Sequence, residues 1–375
     1  MTRRLIYLHC LSFPSESGQT IQVLRDYYAM LKHDFEIHLF YLLEKENVVA
    51  VDMKQELSKF GLAENSSFHL HGITGKHKSR GNLIDLATGL LRVNDILIVR
   101  TMDHALDALK IRNKVKKTKV LMELHETAIP HLIYFENKRW LRGYISYWRE
   151  RYIFSRVNAL ICTAQPQADL LDKLFSKHAT KLVLPNAVPD EWLSKKSDIM
   201  TQCNDSSFHL RYAGQFSKWK NTEILFEALS LLPDNFILDL AGGKSCDQSL
   251  TAIYINDLAT KYKVNDRVNY VGVLQPTSVI EFISSANLLL LPLGNNVQSM
   301  YFTSPMKIFE YAISGVAAII ASQPTTRSLV SKSQVAFFDG NSAKSLAAKI
   351  NYLYLNPDLR LELAKNFFLW VRLFL

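Results

Sequence analysis

Short apolar runs of strand length alternate with longer amphipathic stretches along nearly the whole sequence, a pattern typical of α/β folds. The runs are nearly continuous in apolar residues, as expected of strands covered on both faces of a parallel sheet. In the first half, strands are predicted at 4–9, 36–42, 95–99, 119–124 and 159–163. Helices are predicted between them at 19–31, 47–60, 104–115, 137–156 and 166–175. The first half is therefore expected to form a parallel sheet with crossover helices.

The alternation lapses between residues 184 and 209 and then restarts, so a second domain is expected. Its strands are predicted at 209–213, 236–241, 268–271, 287–291, 317–321 and 335–338. Its helices are predicted at 221–231, 248–263, 277–285, 304–314 and 343–355. The 375 residues are enough for two domains. The predicted divisions are an N-terminal domain 1–190, a linker 191–208, a C-terminal domain 209–355 and a C-terminal helix 356–375.

The predicted fold is thus α/β, with two tandem doubly wound Rossmann-like domains. In open α/β sheets, ligands bind outside the carboxyl ends of the strands. Two such domains facing each other would form a cleft with binding loops on both walls. Functional residues are therefore sought in the loops that follow the predicted strands.

The amino-acid composition limits the classes of binding partner but does not select one of them. The chain has 44 Lys and Arg against 35 Asp and Glu, a net charge of +9, which suits a nucleic acid, an anionic membrane surface or a phosphorylated small molecule. No nucleic-acid-binding motif is present, so a nucleic-acid partner is not expected. No apolar run approaches the roughly 20 residues that span a bilayer.

The cysteines and the N-terminus indicate a cytoplasmic protein. The four cysteines are scattered, with no C-x-x-C pair, so neither a disulfide framework nor a structural zinc site is expected. The apolar run within residues 1–10 is far shorter than a signal peptide. The expected location is the cytoplasm, with peripheral attachment to the inner face of the membrane as an extension.

The segment 299–315 has the pattern of an anion-binding helix start. Ser304 is a suitable N-cap and Pro305 a suitable first helical residue. The predicted phosphate-binding groups are hydroxyls and free amides of Thr303, Ser304, Met306 and Lys307. Glu310 is expected to accept hydrogen bonds from two neighbouring hydroxyls. A capped helix with a surface glutamate is the alternative.

A second loop, 212–221, follows the first strand of the second half. Gly214 permits the chain to turn at the strand end, and Lys220 precedes Asn221, which is a suitable N-cap for the next helix. Lys220 is predicted to reach a phosphate, whereas Lys218 is interpreted as a solvated loop lysine.

Glycine turns at other strand ends complete the predicted nucleotide site. Gly243 and Gly272 end strands at the same edge of the sheet and permit close approach of a flat base. In the first half, Gly18 lies in a loop that resembles a phosphate-approaching loop. That loop is no G-x-G-x-x-G fingerprint, which disfavours a Rossmann dehydrogenase.

His125 ends a strand in the first half and is flanked by carboxylates, so it could orient a sugar hydroxyl or assist a proton transfer. An ordinary polar histidine is the alternative. The other ten histidines, including the pair at 69 and 71, show no helical H-E-x-x-H arrangement. No metal site is therefore predicted.

Taken together, these segments resemble the retaining GT-B glycosyltransferases of the group 1 family, which includes sucrose synthase and bacterial lipopolysaccharide, capsule and phosphatidylinositol sugar transferases. The resemblance spans most of the chain and is best in the second half, in segments 214–221, 240–243, 266–272, 286–292 and 304–315. It implies that Lys220 contacts the nucleotide diphosphate and Glu310 the ribose hydroxyls. It also implies that His125 lies beside the donor sugar and that the Gly18 loop approaches the phosphates.

Two positions depart from the family pattern. Phe302 stands where a glutamate is usual, eight residues before Glu310, and Gln215 stands where an arginine is usual, directly after Gly214. Phosphate charge is then expected to be met by Lys220, Lys307 and backbone amides. Family members also usually end with a helix that crosses back to the first domain. The apolar segment 366–375 here is interpreted either as a truncated end or as a membrane-docking tail.

The activity implied is metal-independent transfer of a sugar from a UDP- or GDP-linked donor to a glycan or lipid-linked acceptor, with retention, in cell-surface polysaccharide or lipopolysaccharide biosynthesis. No cofactor is expected. The segment 137–156 interleaves cations with aromatics and is either an interfacial helix on anionic lipid or a core helix with solvated arginines. The alternative functions are an inactive nucleotide- or glycan-binding scaffold and a sugar-nucleotide epimerase or phosphorylase.

Overall fold

The computed structural model describes residues 3–12, 18–43, 53–59, 61–74, 79–115, 117–125, 127, 140–187, 207–243 and 248–374. The chain divides into two compact units, Met1–Pro185 and Asn186–Leu375. The division falls after Pro185, slightly before the predicted end of the N-terminal domain. Residues 191–206 of the predicted linker lie outside the described residues.

Unit 1 contains a seven-stranded parallel sheet, in the order β3-β2-β1-β4-β5-β6-β7. Its strands are β1 Arg3–Ser12, β2 Phe35–Leu43, β3 Phe68–Thr74, β4 Ile96–Val99, β5 Lys119–Leu124, β6 Ala159–Cys162 and β7 Thr180–Val183. Its described helices are α1 Gly18–Ala29, α2 Met53–Lys59, α3 Ser79–Leu90, α4 Met102–Arg112, α5 Trp140–Phe154 and α6 Gln165–Leu174. The strand order reverses between β1 and β4, and such switch points place ligands at the carboxyl edge of a sheet.

Both faces of this sheet are covered, which explains the nearly continuous apolar runs. On β1, Leu5 and Tyr7 are buried in one apolar cluster, whereas Ile6 and Leu8 are buried in another on the opposite face. Successive side chains of a strand alternate between faces, so each central strand contributes to two cores. The predicted parallel sheet with crossover helices is confirmed.

Unit 2 contains a six-stranded parallel sheet, in the order β10-β9-β8-β11-β12-β13. Its strands are β8 Phe208–Ala213, β9 Phe236–Ala241, β10 Val268–Tyr270, β11 Leu288–Leu291, β12 Ala318–Ala321 and β13 Ala336–Phe338. Its described helices are α7 Glu223–Ser230, α8 Gln248–Lys261, α9 Pro276–Ser284, α10 Val297–Tyr301, α11 Met306–Ser314, α12 Pro324–Arg327, α13 Ala343–Leu355 and α14 Pro357–Val371. Two doubly wound α/β units in tandem are thus confirmed.

Among the described elements, the sequence pattern missed two strands and three α-helices. Strands β3 and β7 are the two edge strands of the unit 1 sheet. An edge strand has fewer neighbours to bury it, and β7 alternates between exposed and half-buried residues. Histidines interrupt the apolar pattern of β3, and two glycines weaken the helical pattern of α3. The short helices α10 and α12 were also not predicted.

The apolar C-terminal segment packs within unit 2. Phe367, Trp370 and Val371 of α14 are buried, and the Trp370 ring lies 5.4 Å from the ring of Phe309 on α11. These three side chains stabilise unit 2, so they are unavailable to a membrane. None of the helices that the structure describes combines the length and apolar character required to span a bilayer.

Candidate functional site

Three glycine turns lie side by side at the carboxyl edge of the unit 2 sheet. The amide of Gly214, after β8, donates to the Ala241 carbonyl at 2.9 Å, and the amide of Gly242 donates to the Gly272 carbonyl at 2.8 Å. Gly242 has a φ of +112°, and a Cβ there would lie 2.0 Å from the Gly214 carbonyl oxygen. A glycine is therefore required at position 242 for the turns to pack this closely.

Gly243, predicted to approach the base, belongs to the same arrangement. Its carbonyl accepts a hydrogen bond from the Phe216 amide at 3.0 Å, which connects the turn after β9 to the loop after β8. Gly272 has a φ of +84°, a conformation that favours glycine at this turn. The structure thus brings the predicted glycine positions 214, 243 and 272 to one edge.

The loop that carries Lys220 is held across the same edge. Lys220 ends a short 3₁₀ turn, whose Trp219 carbonyl accepts a hydrogen bond from Asn296 Nδ2 at 2.6 Å. The amide group of Asn221 donates to the Gly340 carbonyl at 3.0 Å. Asn221 is not the predicted N-cap: it has a left-handed φ of 54°, and α7 begins two residues later. These bonds fix the position of Lys220 relative to the strands.

Lys220, Lys307 and Glu310 form a charged group at this edge, here called the lysine–glutamate cluster. Glu310 is buried, and its Oε2 lies 2.6 Å from Lys307 Nζ. Burial lowers the pKa of Lys220 to about 8, with a further decrease caused by Lys307 and an opposing increase caused by Glu310. With both lysines protonated, the cluster has one excess positive charge, which suits an anion.

Lys307 lies beside the first glycine turn. A Cβ built on Gly214 would be 3.5 Å from Lys307 Cε, which is ordinary van der Waals contact. The Lys220 ammonium lies 5.2 Å from the centroid of the Trp219 ring. The cluster therefore adjoins the exposed backbone of the turns, and the sequence-predicted residues Gly214, Lys220, Lys307 and Glu310 converge.

The predicted cap of the anion-binding helix is wrong. Helix α11 begins at Met306, and its N-cap is Pro305, which forms no side-chain cap. The Ser304 hydroxyl instead accepts a hydrogen bond from the Asn186 amide at 3.1 Å. Proline can occupy this position in an extended conformation and moves the helix start by one residue. The first amides of α11, at Met306 and Lys307, still lack carbonyl partners within the helix.

The two departures from the family pattern have different environments. Phe302 is buried, so an apolar side chain fills the core at that position, and Thr303 beside it is also buried. Gln215 is exposed, and its backbone carbonyl accepts a hydrogen bond from the Tyr212 hydroxyl at 2.8 Å. Neither side chain adds a charge to the lysine–glutamate cluster.

In unit 1, His125 follows β5 and belongs to a polar network. Its Nε2 lies 2.6 Å from Glu123 Oε1, and its Nδ1 lies 3.2 Å from Arg100 Nη2. A guanidinium only donates hydrogen bonds, so Nδ1 accepts and Nε2 carries the proton. The Tyr7 hydroxyl donates to Glu123 Oε2 at 3.2 Å. Both nitrogens of the ring are therefore engaged, which fixes its tautomer and orientation.

Glu123 and Arg100 are the carboxylate and the guanidinium of this network. Burial alone would raise the pKa of Glu123, but hydrogen bonding and charge from His125 and the charge of Arg100 hold the pKa below its usual value. Burial lowers the pKa of the nearby His9 to about 4, so that histidine is neutral at physiological pH. The network thus keeps the Glu123 carboxylate ionised near the neutral His9.

Sequence reasoning singled out His125 but missed Arg100 and Tyr7 as its partners. Arg100 directly follows β4, so a search for polar residues at strand ends could have found it. Tyr7 lies inside β1, where only the register of the sheet reveals its contact with Glu123. Gly18 is the first residue of α1, and the preceding residues 13–17 of its predicted loop lie outside the described residues.

Residues 201–369 match the family model of glycosyl transferases group 1. Sucrose-phosphate synthase from Thermosynechococcus elongatus has a similar structure, with a TM-score of 0.76 and 15% identity over 99% of this chain and 94% of that chain. For the Anabaena protein HepE in complex with UDP-glucose, the TM-score is 0.69 and the identity is 14%, over 99% of this chain and 94% of that chain. For the lipopolysaccharide outer core galactosyltransferase WaaB, the TM-score is 0.65 and the identity is 14%, over 99% of this chain and 97% of that chain.

No curated protein sequence matches this chain. At identities this low, the structural similarities show the fold, while the matched family model covers most of unit 2. The chain therefore carries a group 1 glycosyltransferase domain in residues 201–369, and as a whole it has the GT-B fold of its structural neighbours.

Proposed function

We propose that this protein transfers a sugar from a UDP- or GDP-linked donor to a hydroxyl of a glycan or lipid-linked acceptor, with retention of the anomeric configuration. The lysine–glutamate cluster carries this proposal, because it places two lysines and a buried carboxylate beside three glycine turns of a glycosyltransferase domain. The proposed setting is cell-surface polysaccharide or lipopolysaccharide biosynthesis, in keeping with the galactosyltransferase named among the neighbours.

The proposed catalytic contribution of unit 2 is electrostatic. The leaving diphosphate gains negative charge as the sugar departs, and Lys220, Lys307 and the first amides of α11 would stabilise that charge. The buried Glu310 would accept hydrogen bonds from the ribose hydroxyls, while its Oε2 holds Lys307 in place. The protein groups alone would thus neutralise the leaving group, and we propose a metal-independent transfer.

His125 is proposed to orient the donor sugar. Glu123 and Arg100 fix its ring at the carboxyl end of β5, the edge at which an α/β sheet binds ligands. These two contacts hold the His125 ring in one orientation. Orienting the sugar requires no proton transfer by His125, so we assign His125 a positioning role.

The acceptor side of the proposal rests on helix α5. One face of this helix is buried through Ile153 and Phe154, whereas Tyr144, Trp148 and Tyr152 form a stripe at i, i+4 and i+8 with 65%, 48% and 46% of their surfaces exposed. The sequence left two alternatives for this segment, an interfacial helix and a core helix. The structure has features of both, because one face of the helix packs in the core and its aromatic rings are exposed to solvent.

Cations flank this aromatic stripe. The Arg151 guanidinium lies 5.6 Å from the Trp148 ring centroid, and the Arg156 guanidinium lies 3.9 Å from that of Tyr152. Exposed rings combined with arginines favour the interface of an anionic membrane. We therefore propose that the protein works peripherally on an anionic membrane surface in the cytoplasm, where a lipid-linked acceptor would be found.

Removing the aromatic stripe should weaken membrane binding. The double variant Tyr144→Ser/Trp148→Ser is expected to bind vesicles with about 30% anionic lipid at least about tenfold more weakly than the wild type. Vesicle co-sedimentation measures this. The control is Leu250→Ser/Ile253→Ser, which removes exposed apolar groups from α8. Equal binding by wild type and stripe variant would contradict the membrane proposal.

Affinity for a nucleoside diphosphate should depend on pH through Lys220. The pKa of this lysine is about 8, and its protonated form binds the anion, so affinity is expected to be constant below pH 8 and to fall above it by up to about tenfold per pH unit. Calorimetric titration of UDP and GDP between pH 6.5 and 9.5 measures this. Lys220→Arg should move the decrease to higher pH, and an unshifted profile in that variant would assign the titration to another group.

The proposed activity is tested by incubating the full chain with a panel of UDP- and GDP-sugars and a bacterial membrane extract, followed by mass spectrometry of the products. The expected product is an acceptor whose mass has increased by one sugar residue. Conversion of a nucleotide-sugar without acceptor would favour an epimerase or phosphorylase. Nucleotide binding without any turnover would favour an inactive scaffold, and either result would overturn the proposed transfer.

A further inference from the structure

The amino edge of the unit 1 sheet gathers one carboxylate and three imidazoles, which the proposed function does not use. Glu36 and His38 lie on β2, and His69 and His71 lie on the neighbouring strand β3. The strands are parallel with His38 paired to His69, and residues two apart share a face. The four side chains therefore lie on one face of the sheet. The search for helical metal motifs missed them because the ligands come from two strands.

We propose that Glu36, His38 and His69 form a binding site for a divalent transition-metal ion of the zinc class. Imidazole and carboxylate are the ligands that zinc and its neighbours in the first transition row accept. One ligand atom from each residue lies within 4.8 Å of the others. This site is separate from the lysine–glutamate cluster of unit 2 and does not depend on the proposed transferase activity.

The distances fit a tetrahedral ion. Glu36 Oε1 lies 3.0 Å from His38 Nε2 and 3.7 Å from His69 Nε2. Two ligands of a tetrahedral zinc, each about 2.0–2.1 Å from the metal, are about 3.3–3.4 Å apart. The observed pair distances lie on either side of this value. His69 has 39% of its side chain exposed and Glu36 has 23%, so an ion can reach the site from solvent.

Hydrogen bonding leaves His38 Nε2 unprotonated, with its lone pair accepting from Arg4. Arg4 Nη2 lies 3.0 Å from this nitrogen, and a guanidinium only donates, so Nε2 carries no proton. His38 Nδ1 lies 3.0 Å from His71 Nε2 and therefore donates to it. Glu36 Oε1 is also an acceptor. His38 Nε2 and Glu36 Oε1, 3.0 Å apart, thus both face the Arg4 guanidinium, as ligands of one cation do.

His71 supplies the support that metal-bound histidines usually have. A metal-ligating histidine almost always donates its second ring N–H to a neighbouring acceptor, which fixes the tautomer. The bond from His38 Nδ1 to His71 Nε2 has this form. The rings of His38 and His69 also stack with centroids 4.7 Å apart, which orients the exposed ligand.

Arg4 is the cation that the proposed metal would supplement. Its Nε lies 3.3 Å from Glu36 Oε1, and its Nη1 is held by Asp95 Oδ2 at 2.9 Å and by the Leu90 carbonyl at 3.1 Å. Arg4 therefore keeps the two Nη1 partners if Nη2 leaves His38. A metal ion would then take the place of Nη2 at the His38 lone pair. Repulsion from the guanidinium should make the binding weaker than in a site without a neighbouring cation.

The position of the site indicates a structural role. Arg4 and Glu36 lie near the starts of β1 and β2, whereas Gly18 and His125 follow the carboxyl ends of β1 and β5. From Arg4 to the end of β1 at Ser12 the strand covers roughly 26 Å at about 3.3 Å per residue. A metal here would join the edge strand β3 to β2 and stabilise unit 1.

Zinc titration of the tag-free, chelator-treated full chain tests the proposal. Calorimetry should show one Zn²⁺ bound per chain. The affinity for Zn²⁺ should fall at least about tenfold in His69→Ala and about tenfold in His71→Ala. The control His178→Ala also removes a histidine beside a carboxylate, since His178 Nε2 lies 2.8 Å from Asp172 Oδ1, and it should bind normally.

Two further readouts separate the metal site from a purely hydrogen-bonded cluster. Zn²⁺ should raise the melting temperature of the wild type but not of His69→Ala, whose fold without metal is checked by circular dichroism. Co²⁺ should give the visible bands of a tetrahedral nitrogen and oxygen site. Absence of stoichiometric Zn²⁺ binding, equal affinity in His69→Ala, or a thiolate charge-transfer band with Co²⁺ would each overturn the proposal.

Discussion

Replacing Lys220 with methionine is expected to lower the rate constant of sugar transfer by about 100- to 1,000-fold. In the proposed mechanism the ammonium group stabilises the charge that develops on the departing diphosphate, and methionine keeps most of the apolar stem without the charge. Lys307 cannot compensate fully, because its Nζ is paired with Glu310 Oε2 at 2.6 Å. Steady-state kinetics with the natural or surrogate nucleotide-sugar measures the effect.

In contrast to its loss of activity, Lys220→Met is expected to keep or gain stability. Folding lowers the pKa of Lys220 from 10.5 to about 8, mainly through burial, so the charged lysine destabilises the native state below pH 8. This cost decreases as pH rises from about 8 to 10.5. At pH 7, Lys220→Met should therefore be at least as resistant to urea as the wild type, and the difference should shrink at high pH.

Lys344→Met provides the matched control for both measurements, because Lys344 is exposed on α13. It should leave the rate constant and the free energy of unfolding nearly unchanged. A Lys220→Met variant with wild-type turnover and wild-type diphosphate affinity would contradict the role assigned to Lys220. A strongly destabilised variant would instead show that the lysine is chiefly a structural residue.

Replacing Gly242 with alanine is expected to destabilise the protein by roughly 2–4 kcal/mol and to abolish nucleotide binding. The added Cβ would lie 2.0 Å from the Gly214 carbonyl oxygen, and the backbone at φ +112° is strained for any L side chain. The turns after β8 and β9 must therefore separate, which moves the loop that leads to Lys220. Urea unfolding and calorimetric UDP or GDP titration measure the two effects.

Gly89→Ala is the control for this prediction. Gly89 lies in α3 with nothing within 4 Å of its hypothetical Cβ, so alanine there should stabilise the helix by about 0.5–1 kcal/mol. If Gly242→Ala had wild-type stability and nucleotide affinity, close packing of the glycine turns would not be needed for the site.

Periodicity was sufficient to locate the strands β8 and β9 and the helix α13, because the strands are largely buried and one face of the helix is buried. The strand β9 and the helix α13 occupy the predicted residues, and β8 begins one residue early. Edge strands such as β3 escaped because only part of each is buried, so solvent permits histidines where a central strand has aliphatic residues.

Local motifs predicted candidate residues but not their partners. Lys220 and Glu310 were found from the loop and helix patterns, and the spacing of Lys307 and Glu310 already suits an ion pair on a helix. The effect of Lys307 on Lys220 depends on how two distant loops meet, which no local pattern contains. The cap at Ser304 was wrong because a tertiary partner, Asn186, takes its hydroxyl.

A crystal structure of the protein with bound UDP or GDP tests the central claim most directly. The account predicts diphosphate oxygens within hydrogen-bonding distance of Lys220 Nζ and the first amides of α11, with the ribose hydroxyls at Glu310. A nucleotide bound elsewhere in unit 2, with its phosphates away from Lys220 and α11, would contradict it.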